Sequence, residues 1–427
     1  MTQRIARISA IGSTLVLALG VTACGKSEEG GGGGGGASSG SGEVKAGPGV
    51  TAKTITVGEL TDLSGVFAPL ASAFTQAQTL YWKERNAAGG VCGRQVKLVI
   101  KDAGYDVQKA VSLYRDTEPD VAAFSQVVGS PIIAALLPTL KRDDMLTLAA
   151  AWPPSLLDAE NVGIIGATYD IEAINGIEWL MKNKGLKKGD TIGDLYFEGD
   201  FGEGGLVGVK YAAEKFGLKV EEQKIKATDE DMSGAAAAFK RADVKAIWAT
   251  TAPGQLASLA GVSKSSGLNV PIGTNGPVFA PQLLKTPAGP TLAENVTVFA
   301  GGAPFASEAP AVKKAGAAYE KAYPKGVPQQ SVTVGYAEAK VMDEVLKKAC
   351  ENKDLTRAGI VKAFRQLSEV DTEGLVAGTL DFSQVGQSSS KTVFALDVDD
   401  KAKGGLTAVG EPLNSETAQA YKRVPAS

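Results

Sequence analysis

The chain has 427 residues, with 44% hydrophobic and 21% charged side chains and a formal net charge of −3. That balance is ordinary for a globular protein, and no basic stripe or basic–aromatic interleaving invites nucleic acid. Histidine is absent, which excludes Ser-His-Asp and Cys-His nucleophilic catalysis and removes the commonest metal ligand.

The amino terminus reads MTQRIARISAIGSTLVLALGVTAC. Arg4 and Arg7 give a positive start, an apolar stretch follows, and the small residues Thr22 and Ala23 precede Cys24. This is the anatomy of a secretory signal peptide over residues 1–23. Residues 20–27 also satisfy G-x-x-x-x-G-K-S/T, the pattern of a phosphate-cradling loop. Such a loop must join a buried strand to a helix, so that backbone N–H groups converge on phosphate oxygens. Here an export signal precedes it. The glycine run after it cannot propagate a helix, since each glycine costs about 1 kcal/mol relative to alanine. The stretch VTAC, residues 21–24, instead resembles the lipobox of bacterial lipoproteins. The likeness implies a diacylglycerol on the Cys24 thiol, cleavage just before it, and an extracytoplasmic chain held at the cell membrane by lipid. A plain signal peptide with an incidental cysteine is the alternative. From residue 24 to about residue 50, Gly, Ser, Glu and Lys follow the cysteine without apolar periodicity, which makes a flexible tether. Its root-mean-square span is roughly 28 Å.

Strand and helix patterns then alternate. TITVGEL reads as a strand and APLASAFTQAQTLYWKERNAAGG as a helix with a glycine stop. QVKLVIKD is a period-two strand, VQKAVSLYRDTE a helix and VAAFSQ a short apolar strand. SPIIAALLPTLKRD is a helix opened by Ser130 and Pro131, and MLTLAA is the next strand. A second series begins near Tyr169, with helices over IEAINGIEWLMKNKG, EGGLVGVKYAAEKFG, MSGAAAAFKRA and GQLASLAGVSKSSG. Its strands are TIGDLYF, KVEEQKI, VKAIWAT, VPIGT and NVTVFA. Two or three helices follow, within APAVKKAGAAYEKAYPKG, VTVGYAEAKVMDEVLKKACENK and RAGIVKAFRQLS. GTLDFSQ and KTVFALDVDD look like antiparallel strands. Repeated βα units imply parallel sheets with helices on both faces. Roughly 375 residues remain after signal and tether, enough for two domains at about 150 residues each. Two series followed by helices and a β tail imply two lobes, with the chain passing between them more than once.

Four stretches carry a family likeness by their order and spacing. They are ITVGELTDLSG, ERNAAGGVCGRQVKLVIKDAGYDVQKAV, YFEGDFGEGGLVGVKYAAEKFG and SVTVGYAEAKVMDEVLKKA. Together they resemble the extracellular solute-binding proteins of branched-chain amino-acid (leucine/isoleucine/valine) ABC transporters, over about Thr54 to Leu413. The resemblance implies the type I periplasmic binding protein fold. This is an α/β protein of two Rossmann-like lobes joined by three crossovers, with the ligand in the cleft between lobes that close over it. Lobe 1 would hold residues 54–167 plus 304–380, lobe 2 residues 168–303 plus 381–413, and residues 414–427 a C-terminal tail. The crossovers would lie near residues 166–169, 300–305 and 381–386. The resemblance further implies a monomer that is not an enzyme, with no cofactor and no metal. It would capture a small amphipathic ligand, a branched-chain amino acid or a related organic acid or amide, by lobe closure and deliver it to an ABC permease. A ligand-sensing lipoprotein of the same fold is the competing reading, separated by loss of uptake on deletion. An enzyme would have to rely on isolated carboxylates such as Glu198 and Asp200 in a glycine-rich strand-end loop.

The family pattern also marks a ligand site. Ser130 stands where the family places a ligand-binding serine, and it equally fits an ordinary helix N-cap. Ala151 and Trp152 occupy the loop that presents backbone groups and a hydroxyl to an amino acid. Here the hydroxyl is missing, and Trp152 either walls the ligand or packs between lobes. Phe201 takes the place of a cleft tyrosine. Phe67 and Leu70 follow the first turn, near a frequent aromatic position. Asn275 stands where amino-acid binders carry a glutamate for the ligand ammonium, and Ala252 replaces an aromatic. An unpaired buried charge costs about 2–5 kcal/mol. So either Glu198 or Asp200 supplies the missing carboxylate, or the ligand lacks an α-ammonium. With Cys24 acylated, Cys92 and Cys350 remain as an even pair in an exported chain. Both fall in segments that the family assigns to the first lobe, so a disulfide between them is expected.

Overall fold

Two sheets organise the structure, a computed structural model that describes residues 44–423. Cys24, the signal segment and most of the tether lie outside the described residues. Among these, no helix is long and apolar enough to cross a membrane.

The strands in chain order are β1 (Lys45–Ala46), β2 (Thr54–Thr61), β3 (Gln95–Asp102), β4 (Ala123–Val128), β5 (Thr147–Ala150), β6 (Val162–Ile164) and β7 (Thr191–Phe197). Then come β8 (Lys219–Ile225), β9 (Ala246–Thr250), β10 (Ile272–Asn275), β11 (Val296–Ala300), β12 (Asp354–Leu355), β13 (Phe394–Val398) and β14 (Leu406–Ala408). The first sheet is wholly parallel, in the order β3-β2-β4-β5-β6. Its middle strand β4 is buried at every position, as a strand covered on both faces must be. The second sheet runs β14-β13-β11-β10-β9-β7-β8. Its last five members are parallel, while β13 and β14 close one edge antiparallel.

Helices cover both sheets: α1 (Ala68–Ala87), α2 (Val107–Thr117), α3 (Ser130–Arg142), α4 (Tyr169–Asn183), α5 (Asp200–Phe216) and α6 (Ser233–Arg241). The remainder are α7 (Pro253–Ser266), α8 (Gly289–Asn295), α9 (Pro310–Ala322), α10 (Gln330–Glu351), α11 (Arg357–Phe364) and α12 (Glu416–Ala420). Helix α10 returns to the first lobe and packs on α1. A Cβ at Gly335 would stand only 2.6 Å from the Phe74 carbonyl oxygen. Cys350 at the end of α10 is bonded to Cys92 in the turn after α1, 258 residues apart in sequence. Glycines on α5 allow close packing. A Cβ at Gly205 or Gly208 would lie 2.2 Å from Thr250 Oγ1 or 2.3 Å from the Asp170 carbonyl oxygen. Helix α5 therefore sits directly on β9 and α4.

Three crossovers join the lobes, and the first and third bond to each other. The Gly166 N–H donates to Ser389 Oγ at 2.9 Å, and the Ala377 N–H donates to the Gly301 carbonyl at 2.8 Å. The third passage runs through residues 388–390, later than the expected 381–386. Leu380 and Phe382 stay buried in the first lobe, where Phe382 packs on Phe364 at 4.9 Å, and this holds the chain back. For the same reason GTLDFSQ forms no strand and makes only an isolated bridge between Leu380 and Val370.

Candidate functional site

The carboxyl ends of both sheets face a cavity of about 960 Å³, part of it an open mouth. This is the place where parallel α/β sheets receive ligands. The first lobe lines it with Phe67, Leu70 and Phe74 at the start of α1, Tyr105 after β3, Ser130, Ala151 and Trp152. The second lobe contributes Tyr169 and Glu172 on α4, Phe201 on α5, Gly276 and Phe279 after β10, and Leu406 on β14. The first turn of α10 adds Gln329, Gln330 and Val334. Among the described residues, no lysine or arginine lines the cavity, and no cluster of ligating side chains could hold a metal.

Aromatic rings bridge the two walls. Phe67 meets Tyr105 at 4.9 Å and Phe201 at 5.8 Å, while Tyr169 meets Phe201 at 4.9 Å and Trp152 at 6.1 Å. Such edge and tilted contacts are each worth about 0.5–1.5 kcal/mol beyond area burial. They hold the lobes against each other. Trp152 lines the cavity and packs between the lobes. Its ring packs on Tyr169 across the cleft, and its Nε1–H donates to the Ile165 carbonyl at 2.8 Å, fixing the wall.

Ser130 is buried and is the first residue inside α3, not its N-cap. The N-cap is Gly129, whose φ of 110° suits glycine and which offers no capping side chain. The first N–H groups of α3 are thus left without a side-chain cap. The Ser130 hydroxyl is bonded to the Tyr169 side chain instead.

Two expected positions stand outside the cavity. Ala252 precedes α7 and packs its methyl into the second-lobe core. Asn275 is fully buried with its amide engaged on both sides. Its Oδ1 accepts from Thr250 Oγ1 at 2.7 Å and Trp248 Nε1 at 3.2 Å. Its Nδ2 donates to the Tyr169 carbonyl at 3.1 Å and Glu172 Oε2 at 2.8 Å. No polar atom of Asn275 is left for a ligand. Nor do Glu198 and Asp200 line the cavity. Glu198 is exposed, and Asp200 accepts from Ser155 Oγ at 3.1 Å.

The carboxyl in the cavity is Glu172. It is 4% exposed and takes hydrogen bonds from Asn275 and from the N–H groups of Gly276 and Gly301. Burial nonetheless prevails and pushes it up to about 8. The available signal was Tyr169 and Glu172 three apart at the start of the helix after the first crossover, hence on one face.

The model of a family described as "Periplasmic binding protein" matches residues 54–404. No curated protein sequence matches the chain. Among solved structures, a fatty acid ABC transporter substrate-binding protein from Thermomonospora curvata is 44% identical. It has a TM-score of 0.86 over 88% of this chain and 97% of that one. A branched chain amino acid ABC transporter from Thermus thermophilus with bound valine is 17% identical, with a TM-score of 0.75 over 86% of this chain and 98% of that one. The branched-chain amino acid transporter substrate binding protein of Streptococcus pneumoniae, in complex with isoleucine, is 19% identical. Its TM-score is 0.68 over 84% of this chain and 99% of that one. The last two share the fold.

Proposed function

The chain belongs to the periplasmic binding protein family, the non-enzymatic solute-binding components of ABC transporters, and we propose that its own ligand is a carboxylic acid with an apolar body. The observation that carries this reading is the cavity lining, which among the described residues is mostly aromatic and aliphatic around a single buried acid and free of cations. An apolar ligand body gains about 25 cal/mol for each Å² it removes from water against such walls. The carboxylate pole is offered by Ser130 and the uncapped N-terminus of α3, where N–H groups and the helix dipole favour an anion. The fatty acid specificity stated for the Thermomonospora curvata protein supports the same class.

A second reading rests on Glu172 itself. An ionised carboxyl there would pair with the ammonium of an amino acid. Titration calorimetry of leucine against its desamino analogue, 4-methylpentanoate, separates the two. The acid is expected to bind at least as tightly as leucine. A hundredfold preference for leucine would restore the amino-acid assignment.

Delivery to an ABC permease and anchorage through a lipid on Cys24 complete the proposal, the latter resting on the VTAC stretch. Cys24→Ala should shift the protein from the membrane fraction to the soluble fraction or leave it unprocessed. A mature amino terminus mapped far from Cys24 would end the lipid assignment.

A further inference from the structure

Glu172 is the one carboxyl in a cavity proposed to receive an anion. Its position is imposed by the fold rather than by a ligand. Thr250 and Trp248 occupy the Asn275 amide oxygen, so the amide nitrogen must face Glu172. Asn275 thereby fixes the carboxyl beside the lining residues Tyr169 and Gly276. The groups around Glu172 are neutral or acidic. From α4, Asp170 adds like charge and Tyr169 a buried phenol. From β10 and the second crossover come only Asn275 and the N–H groups of Gly276 and Gly301. Tyr105 acts on Tyr169 from the first lobe, and Lys391, attracted by Asp170, donates to the Ala418, Gln419 and Tyr421 carbonyls.

We propose that Glu172 sets the charge specificity of the cavity: protonated, it admits a carboxylate ligand, and ionised, it expels that ligand. The inference rests on the carboxylic-acid reading above. Two negative charges brought together against mostly apolar walls repel more strongly than they do in water. Burial already holds Glu172 largely neutral at neutral pH, with its titration near pH 8. The direction is then fixed. Below that value the carboxyl is protonated and the site is open to an anion. As pH rises through it, the charge appears and affinity for the anion is lost.

The test is calorimetric titration of octanoate and of uncharged octanamide at about pH 6 and about pH 9.5, with the natural protein and with Glu172→Gln. Octanoate should weaken by roughly tenfold or more in the natural protein, one pKa unit of coupling being a factor of ten. Octanamide should bind alike at both values. Glu172→Gln should hold octanoate at alkaline pH with no more than a threefold change. Equal octanoate affinity at both pH values in the natural protein would overturn the proposal, and that measurement needs no variant to fold. The same decline in Glu172→Gln would overturn it too, by assigning the titration to another group. If neither octanoate nor octanamide binds at pH 6, the carboxylic-acid reading itself fails.

Discussion

Asn275 stands where the family resemblance implies a carboxyl, and the structure places a buried acid beside it. The carboxyl that the family pattern leads one to seek on β10 stands instead on α4, at Glu172, 2.8 Å from the Asn275 nitrogen. The amide is thus a positioning residue, and its removal orphans several buried groups at once. Asn275→Ala strips partners from Thr250 Oγ1, Trp248 Nε1 and the Tyr169 carbonyl. Each buried polar group left unsatisfied costs about 1–3 kcal/mol, so a loss on the order of 3 kcal/mol is expected in urea unfolding. A loss under about 1 kcal/mol would show that the amide network carries little. The sequence already told that position 275 lacks the ammonium partner. It could not tell that an acid 103 residues earlier fills the space, because only the packing of α4 on β10 brings the two together. Ala252 was misplaced for a related reason. Its position at a strand end is right, but a methyl there reaches the core and not the cleft.

Between elements, a second set of acids is buried inside the first lobe, away from the cavity. Glu59 on β2 and Glu338 on α10 are both fully buried. Gln78 on α1 donates from Nε2 to Glu338 Oε2 at 2.8 Å and to the Ser125 carbonyl on β4 at 3.1 Å. Burial pushes Glu59 up to about 8, and burial together with the Glu59 charge pushes Glu338 well above the usual range. Glu59 is therefore largely protonated in the folded protein at neutral pH, while in the unfolded chain it ionises near 4.5. The folded state holds more protons in this window, so its stability is greatest below pH 4.5 as far as this group decides. For Glu59 stability falls as pH rises from about 4.5 to about 8. Glu59→Gln should remove much of that slope and gain on the order of 3 kcal/mol at pH 8 relative to its effect at pH 4.5. Thermal melts of both proteins across this range decide it, and parallel profiles would refute it. The elements themselves were legible from local signals. Glycine pairs, Ser-Pro and the alternation of TITVGEL or KVEEQKI mark their helices and strands without tertiary help. The third crossover was not, because Leu380 and Phe382 are drawn into the first lobe by distant partners such as Phe364.

On the scale of the whole molecule, the lobes are linked at two levels. The first and third crossovers bond through Gly166 and Ser389, and the second takes a bond at Gly301 from Ala377 of the returning segment. Tyr421 packs on Tyr211 of α5 at 4.6 Å, and the next turn of chain pairs Arg423 with Asp158 of the first lobe. The amino-terminal end is fastened differently. Strand β1 pairs in parallel with β12, and the Lys45 N–H donates to the Lys353 carbonyl at 3.0 Å. That junction adjoins Cys350 and its bond to Cys92, entirely within the first lobe. Tension applied through the amino terminus therefore enters one lobe at a covalently stapled base and never crosses the hinge. Both fastenings, the β1–β12 pairing and the Cys92–Cys350 bond, lie in the first lobe and leave the second lobe unrestrained by either.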